Sequence, residues 1–169
     1  MNDVSQSGEP KAHRKKRFMT PLIILASVAV LYTVWLLTSG LIPSAVTGLT
    51  PDDTPQLRAC SDSPNCVCSC DSRADFSIDP VAVTGDPSEF WNHCLDALQK
   101  QPGFSRILES GDGYIHALFR TPIMRYPDDV EMLLDTENQV VHIKSSSRVG
   151  YSDLGANRRR LESLVAALQ

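Results

Sequence analysis

Residues 104–147 read FSRILESGDGYIHALFRTPIMRYPDDVEMLLDTENQVVHIKSSS. The stretch breaks into short apolar-rich runs at 104–110, 114–121, 129–135 and 140–147. Gly111-Asp112-Gly113 and Thr136-Glu137-Asn138 separate them as hairpin turns, and a longer link holding Pro127 joins the second run to the third. Side chains alternate along a strand. Ile115, Ala117 and Phe119 therefore share one face with Val130, Met132, Leu134, Val141 and Ile143. His116, Arg120, Glu131, His142 and Lys144 share the other. The pattern predicts an antiparallel sheet of four or five strands with one apolar face.

Two helices flank the runs. At 86–100, DPSEFWNHCLDALQK opens with a capping Asp86, a first-turn Pro87 and Glu89 three residues after the cap. Phe90, Cys94 and Leu98 recur four apart, and Gln101-Pro102-Gly103 ends the helix. Cys94 reads as a half-buried helix residue. At 154–168, Leu161, Leu164, Val165 and Leu168 make an apolar stripe. Residues 76–83 look extended, with Pro80 favouring an edge position. Helix, strands, helix predicts an α+β domain with two helices on one sheet face and the polar face open.

Charge is unevenly spread along the 169 residues. Five Lys/Arg crowd positions 11–17, residues 22–42 carry none of either sign, and the remainder holds 18 acidic against 11 basic side chains. The uncharged run has the length of a membrane-spanning helix, and its flanks set the orientation by the positive-inside rule. The expected layout is a cytoplasmic basic tail at 1–19, a transmembrane signal-anchor at 20–42, a Pro/Thr/Asp-rich linker at 43–56 and an extracytoplasmic domain at 57–169. The expected location is the cytoplasmic (inner) membrane, single-pass. A cleaved signal peptide fits less well, because its apolar region is shorter and Pro43 sits two before the best small residue, Ala45. The acidic body argues against nucleic acid.

Four cysteines, Cys60, Cys66, Cys68 and Cys70, cluster in CSDSPNCVCSC. Outside the cytoplasm disulfides persist, and Cys60–Cys66 is the most natural small loop. A metal site and free thiols stay open, although the spacing is not that of paired C-x-x-C knuckles.

Two polar groupings attract chemistry. In a meander, Glu131 sits between His116 and His142, a set suited to a divalent metal or to acid–base work. Opposite charges pairing across a polar sheet face account for it as well. The second grouping is SSSRVGYSDLGANRRR at 145–160, a strand-to-helix junction. Ser152 or Asp153 can cap the last helix, and its N-terminus could receive an anion with help from Arg148 and Arg158. An internal network pairing Arg148 or Arg158 with Asp153, Asp128 or Asp129 is favoured, with Arg159 and Arg160 solvated. No nucleophile elbow, phosphate loop or zinc-protease helix is present.

The ordered motifs CSDSPNCV, YIHALFRTPIMRYPDDVEMLLD and VVHIKSSSRVGYSDLGANRRRLESL resemble an uncharacterised bacterial and plastid family, domain of unknown function number fourteen ninety-nine. The resemblance runs from about residue 57 to 168. It takes in His116, Asp128, Asp129, Glu131, His142, Arg148, Asp153, Asn157, Arg158 and Arg160. It implies that Cys60 and Cys66 are the common pair, suited to a disulfide, whereas Cys68 and Cys70 stand where the family tends to have serines.

The resulting expectation is a membrane-anchored module that binds a ligand or a partner protein and needs no cofactor. Its working surface is His116, Glu131, His142, Arg148, Asp153, Asn157 and Arg158. The alternatives are a metal-assisted hydrolase using His116, Glu131 and His142, and a scaffold subunit of a membrane complex.

Overall fold

The structure, a computed structural model, describes residues 13–44, 46–51, 54–111 and 113–169. Residues 1–12 of the expected tail, Ala45, Asp52 and Asp53 of the expected linker, and Asp112 of the expected hairpin turn lie outside the described residues. The chain divides after Thr38 into two compact units.

The first unit is helix α1, His13–Thr38. Its Pro21–Thr38 portion is long and apolar enough to cross a membrane. Three hydroxyls inside that portion donate one turn back: Ser27 to the Ile23 carbonyl at 2.9 Å, Thr33 to Ala29 at 2.8 Å and Thr38 to Val34 at 2.8 Å. Each of these three hydroxyls is satisfied within the helix, so it adds no unmet donor to an apolar span.

The second unit starts at Ser39. Its strands are β1 (Cys66–Cys68), β2 (Val81–Ala82), β3 (Phe104–Gly111), β4 (Tyr114–Arg120), β5 (Pro127–Asp135) and β6 (Val140–Ser147). They form one antiparallel sheet in the order β1-β6-β5-β4-β3, and β2 also pairs with β6. Six strands replace the four or five expected. β2 lies within the stretch 76–83 expected to be extended; β1, three residues long, is the added strand, too short to show an alternating pattern.

Helix α2 (Pro87–Lys100) starts as its sequence predicts: the Asp86 carboxylate accepts from Ser88 N at 2.9 Å and Glu89 N at 3.0 Å. Gly103 follows with φ 88°, where a Cβ would lie 2.7 Å from the Arg120 carbonyl oxygen, so only glycine fits this approach. Helix α3 spans Ala156–Leu168. Phe90, Cys94 and Leu98 of α2 and Leu161, Leu164 and Leu168 of α3 pack with Ile115, Phe119, Met132 and Ile143 in the main core. Cys94 is fully buried rather than half-buried. Burial pushes its thiol up to about 12, as an unpaired group in an apolar setting requires.

The second sheet face departs from expectation. It is not open. The described residues of 39–60, which include parts of the expected linker, lie across it: Leu57 is buried beside Cys60, Cys66, Cys68 and Tyr114, and Leu49 packs against them. Gln56 and Thr50 exchange backbone contact (Thr50 N to Gln56 O, 2.8 Å), which closes this segment into a loop. Ser39, the first residue of this unit, is buried and its hydroxyl accepts from Arg120 at 2.7 Å.

Candidate functional site

Strand β5 carries Asp128, Asp129 and Glu131, all at most 1 % exposed. A carboxylate removed from water must find partners, and each of these three finds a different cation. Asp128 and Asp129 are sequence neighbours and so point to opposite faces.

On the face covered by residues 39–60, Arg148 grips Asp129 through Nε (2.9 Å to Oδ2) and NH2 (2.6 Å to Oδ1). His116 Nε2 lies 2.7 Å from the same Oδ1. The remaining Arg148 nitrogen, NH1, donates to the Ile42 carbonyl at 2.7 Å. Burial alone would raise the Asp129 carboxyl, but the bonds and charge of His116 and Arg148 outweigh it and hold the pKa below the ordinary value. Two residues along, Glu131 Oε1 accepts from Tyr114 Oη and from Gly48 N, both at 2.6 Å. Its Oε2 lies 3.3 Å from Lys144 Nζ, and that ammonium also donates to the Val46 carbonyl. Burial, then Glu131, pushes the Tyr114 hydroxyl up.

On the helix face, Arg160 NH2 meets Asp128 Oδ2 at 2.6 Å while its NH1 donates to Asn157 Oδ1 (2.6 Å) and Ser145 Oγ (2.8 Å). The guanidinium also stands over the Phe119 ring, 5.1 Å from its centroid. Asn157 is fully buried; its Nδ2 donates to the Asn65 carbonyl at 2.7 Å and to Ser147 Oγ at 2.9 Å. Gly155 is the N-cap of α3, and Asp153, two residues before it, supplies the carboxylate that accepts from Gly155 N at 3.0 Å and Asn157 N at 2.6 Å. Gly155 itself has φ 78°, the left-handed turn that lets Asp153 reach back over the helix end.

The expected site residues are therefore dispersed. His116 and Glu131 are cross-strand partners, but Glu131 faces Lys144 on β6, and His142 faces Leu133. His142 stands beside Ser69, with Nδ1 3.2 Å from Oγ, and 3.9 Å from Asp135. His116, Glu131 and His142 do not converge, and the described residues hold no group of three His, Cys, Asp or Glu placed to bind a metal. Arg158 leaves the junction and donates to the Asp75 and Ser77 carbonyls at 3.0 and 3.1 Å. Arg160, expected in solvent, is the cation of the helix face. Asp153 pairs with backbone amides, and neither Arg148 nor Arg158 contacts it. Cys60 and Cys66 are joined as a disulfide. Arg73 holds this loop: it bonds the Cys60 carbonyl at 2.6 Å and the buried Asp71 at 2.9 and 2.7 Å. With Arg73 as the main cause, the Asp71 carboxyl falls to about 2.

Lys144, Tyr114, Asn65 and the backbone of residues 42–48 are participants that side-chain pattern alone does not reveal. Their roles depend on which segment covers the second face.

One feature of this network is incomplete. Asp128 Oδ1 and Glu131 Oε2 are both buried without a hydrogen bond, but only Glu131 Oε2 has a cation, Lys144, facing it at 3.3 Å. Desolvation, opposed by Arg160 and by the Ser147 hydroxyl within bonding reach of the carboxylate and reinforced by Asp153, raises the Asp128 carboxyl above its ordinary value. Asp128 lines a cleft of about 340 Å³, together with Tyr126, Ser147, Val149, Asp153 and Leu154. Leu154 is 85 % exposed and holds φ 53°, an uncommon conformation for a branched apolar residue. Tyr151, on the same loop, is also exposed.

An apolar N-terminal helix followed by an antiparallel α+β domain, pinned by three buried acid–base pairs and one disulfide, defines the class of protein. The chain belongs to the family described as "Protein of unknown function (DUF1499)", whose model matches residues 56–168. The match spans β1 to α3 and stops short of residues 39–55, which help cover the second face. No curated protein and no solved structure matches the chain.

Proposed function

We propose that the protein is a single-pass membrane protein whose domain binds a small amphipathic ligand on the outer side of the cytoplasmic membrane. The basic cluster at 11–17, against no Lys/Arg from 18 to 57, supports this orientation. The Cys60–Cys66 disulfide suits an oxidising compartment.

The observation that carries the binding role is the unbonded, buried Asp128 Oδ1 lining the cleft. An oxygen in this state costs free energy until a donor reaches it, and a ligand's hydroxyl or ammonium group supplies one. Asp153 adds a second carboxylate to the lining, which selects against an anionic head. Tyr126, Val149 and Leu154 offer the apolar wall for the rest of the ligand.

Phenethylamine, phenethyl alcohol and phenylpropionate share an apolar body and differ in the head group. Titrating each into the isotope-labelled full chain in detergent, we expect saturable amide shifts at residues 147–156 with the amine and the alcohol, and none with the carboxylate. Val149→Trp, which fills the cleft, removes the response. Equal shifts from all three probes, or shifts that persist in Val149→Trp, contradict the reading.

A further inference from the structure

Five cysteines serve three different ends. Cys60 and Cys66 are locked together, and Cys94 is sealed in the core. Cys68 and Cys70 are free and adjacent in space. Cys68 ends β1 and is fully buried; Asp71 N donates to its carbonyl at 3.2 Å, so residues 68–71 make a tight turn. Cys70 N donates to Cys68 Sγ at 3.3 Å. A turn of this kind keeps residues two apart within the roughly 4.4–6.8 Å Cα separation that a disulfide spans.

The surroundings of the two sulfurs differ. Cys70 is half-buried, and Cys68 and His142 stand close enough to its sulfur to hold the thiol below its ordinary value. Ser69 between them fixes the imidazole: its hydroxyl meets His142 Nδ1 at 3.2 Å and accepts from Ile143 N at 2.9 Å. Asp135 faces His142 from β5, and Lys144 faces Cys68 from β6. His142 also lines a cleft of about 370 Å³ with Leu49, Leu133, Asp135 and Asn138, which gives access from solvent. The hydrogen bond from Cys68, then that from His142, lowers the Cys70 thiol, whereas Cys68 is raised by its bond to Cys70 and by burial. A half-buried sulfur of lowered pKa beside a buried resolving one is the arrangement thiol–disulfide exchange needs.

We propose that Cys68 and Cys70 are an exchangeable dithiol that reduces a disulfide, with Cys70 attacking, Cys68 resolving and His142 holding the proton Cys70 gives up. In the first step the Cys70 thiolate attacks one sulfur of the substrate disulfide. The substrate S–S bond breaks, a Cys70 mixed disulfide forms, and the departing thiolate takes the proton from His142. In the second step Cys68 loses its proton to His142 and attacks Cys70 Sγ. The mixed bond breaks, the second substrate thiolate leaves with that proton, and a Cys68–Cys70 disulfide remains. Two electrons pass from the protein dithiol to the substrate disulfide, which becomes two thiols. The substrate is a small-molecule disulfide or an accessible protein disulfide.

The test equilibrates the full chain in detergent with glutathione disulfide, and separately with insulin, followed by alkylation and peptide mass spectrometry. The wild-type 68–70 peptide is expected to lose two hydrogens while Cys60–Cys66 stays oxidised and Cys94 stays a thiol. Cys68→Ser is expected to trap glutathione on Cys70, and Cys70→Ser to trap none on Cys68. His142→Gln should slow adduct formation at neutral pH by roughly tenfold and move its pH profile upward, which a merely structural histidine would not do. Reaction with glutathione disulfide alone assigns a small-molecule substrate, and reaction with insulin assigns a protein one. Free thiols at both positions after equilibration of the wild type, or no Cys70 adduct in Cys68→Ser, overturn the proposal. The wild-type measurement stands even if a variant fails to fold.

Discussion

The two faces of the sheet are both covered, by different physics. On the helix face Ile115, Met132 and Ile143 bury apolar area against α2 and α3. That force is non-directional and tolerates variation in how a helix sits. On the other face, the described residues of 39–60 form one short helical turn and a Leu49–Leu57 bridge, and direction-specific bonds position them. Lys144 takes the Val46 carbonyl, Arg148 the Ile42 carbonyl, and Glu131 the Gly48 amide. Apolar burial of Leu57 and packing of Leu49 add to these bonds, which set the direction of the segment. Buried ion pairs add little net stability compared with apolar packing, yet they specify one arrangement at high penalty for disruption.

Removing one partner of the fully buried Glu131–Lys144 pair should therefore break the comparison most sharply. Lys144→Met strands a buried carboxylate and is expected to cost about 3–5 kcal/mol by denaturant unfolding. Adding Glu131→Leu to Lys144→Met should recover most of that loss while leaving residues 46–49 unpinned. On the helix face, Met132→Ala removes a fully buried side chain and is expected to cost about 2–5 kcal/mol, with residues 46–49 unaffected in amide exchange. Asp153→Ala acts at the junction and removes the carboxylate bonded to amides at the start of α3; the expected loss is about 0.5–2 kcal/mol, confined to exchange in the first turn.

The smallest net effect is the pH response of the β5 doublet, because its two members oppose each other. Asp129 has its folded pKa below the ordinary value, so its contribution is present above that value and is lost as pH falls through the folded pKa. Asp128 has its folded pKa raised, so its contribution is present at lower pH and is lost as pH rises through the folded pKa. Carboxyl carbon NMR should resolve Asp129 titrating below and Asp128 above an ordinary aspartate. Coincident curves would remove the distinction between the faces.

Much of this architecture was legible in the residues. Alternation from Tyr114 to Ser147 assigns every side chain to its face, and Asp86-Pro87 places the start of α2. Alternation does not fix register, however. Glu131 faces Lys144 because the turn at Thr136–Gln139 sets the pairing, so the expected cluster of His116, Glu131 and His142 never assembles. Nor does alternation say whether a polar face is wet. Residues 43–56 read as a linker because they act through backbone groups, and Arg160 read as solvated because Asp128 is 32 residues away in sequence. The acids of DDVE and the basic residues near the end of the chain are matched partners. That explains much of a polar pattern that invites a catalytic reading.

The account rests on residues 39–60 being bonded across the second face, and amide hydrogen exchange of Gly48 in the native full chain tests this directly. Bonded to Glu131, Gly48 N–H should be strongly protected in the wild type and should lose that protection in Glu131→Leu/Lys144→Met, while β5 and β6 amides keep theirs. A wild-type Gly48 amide that exchanges as fast as an unstructured peptide would contradict the account.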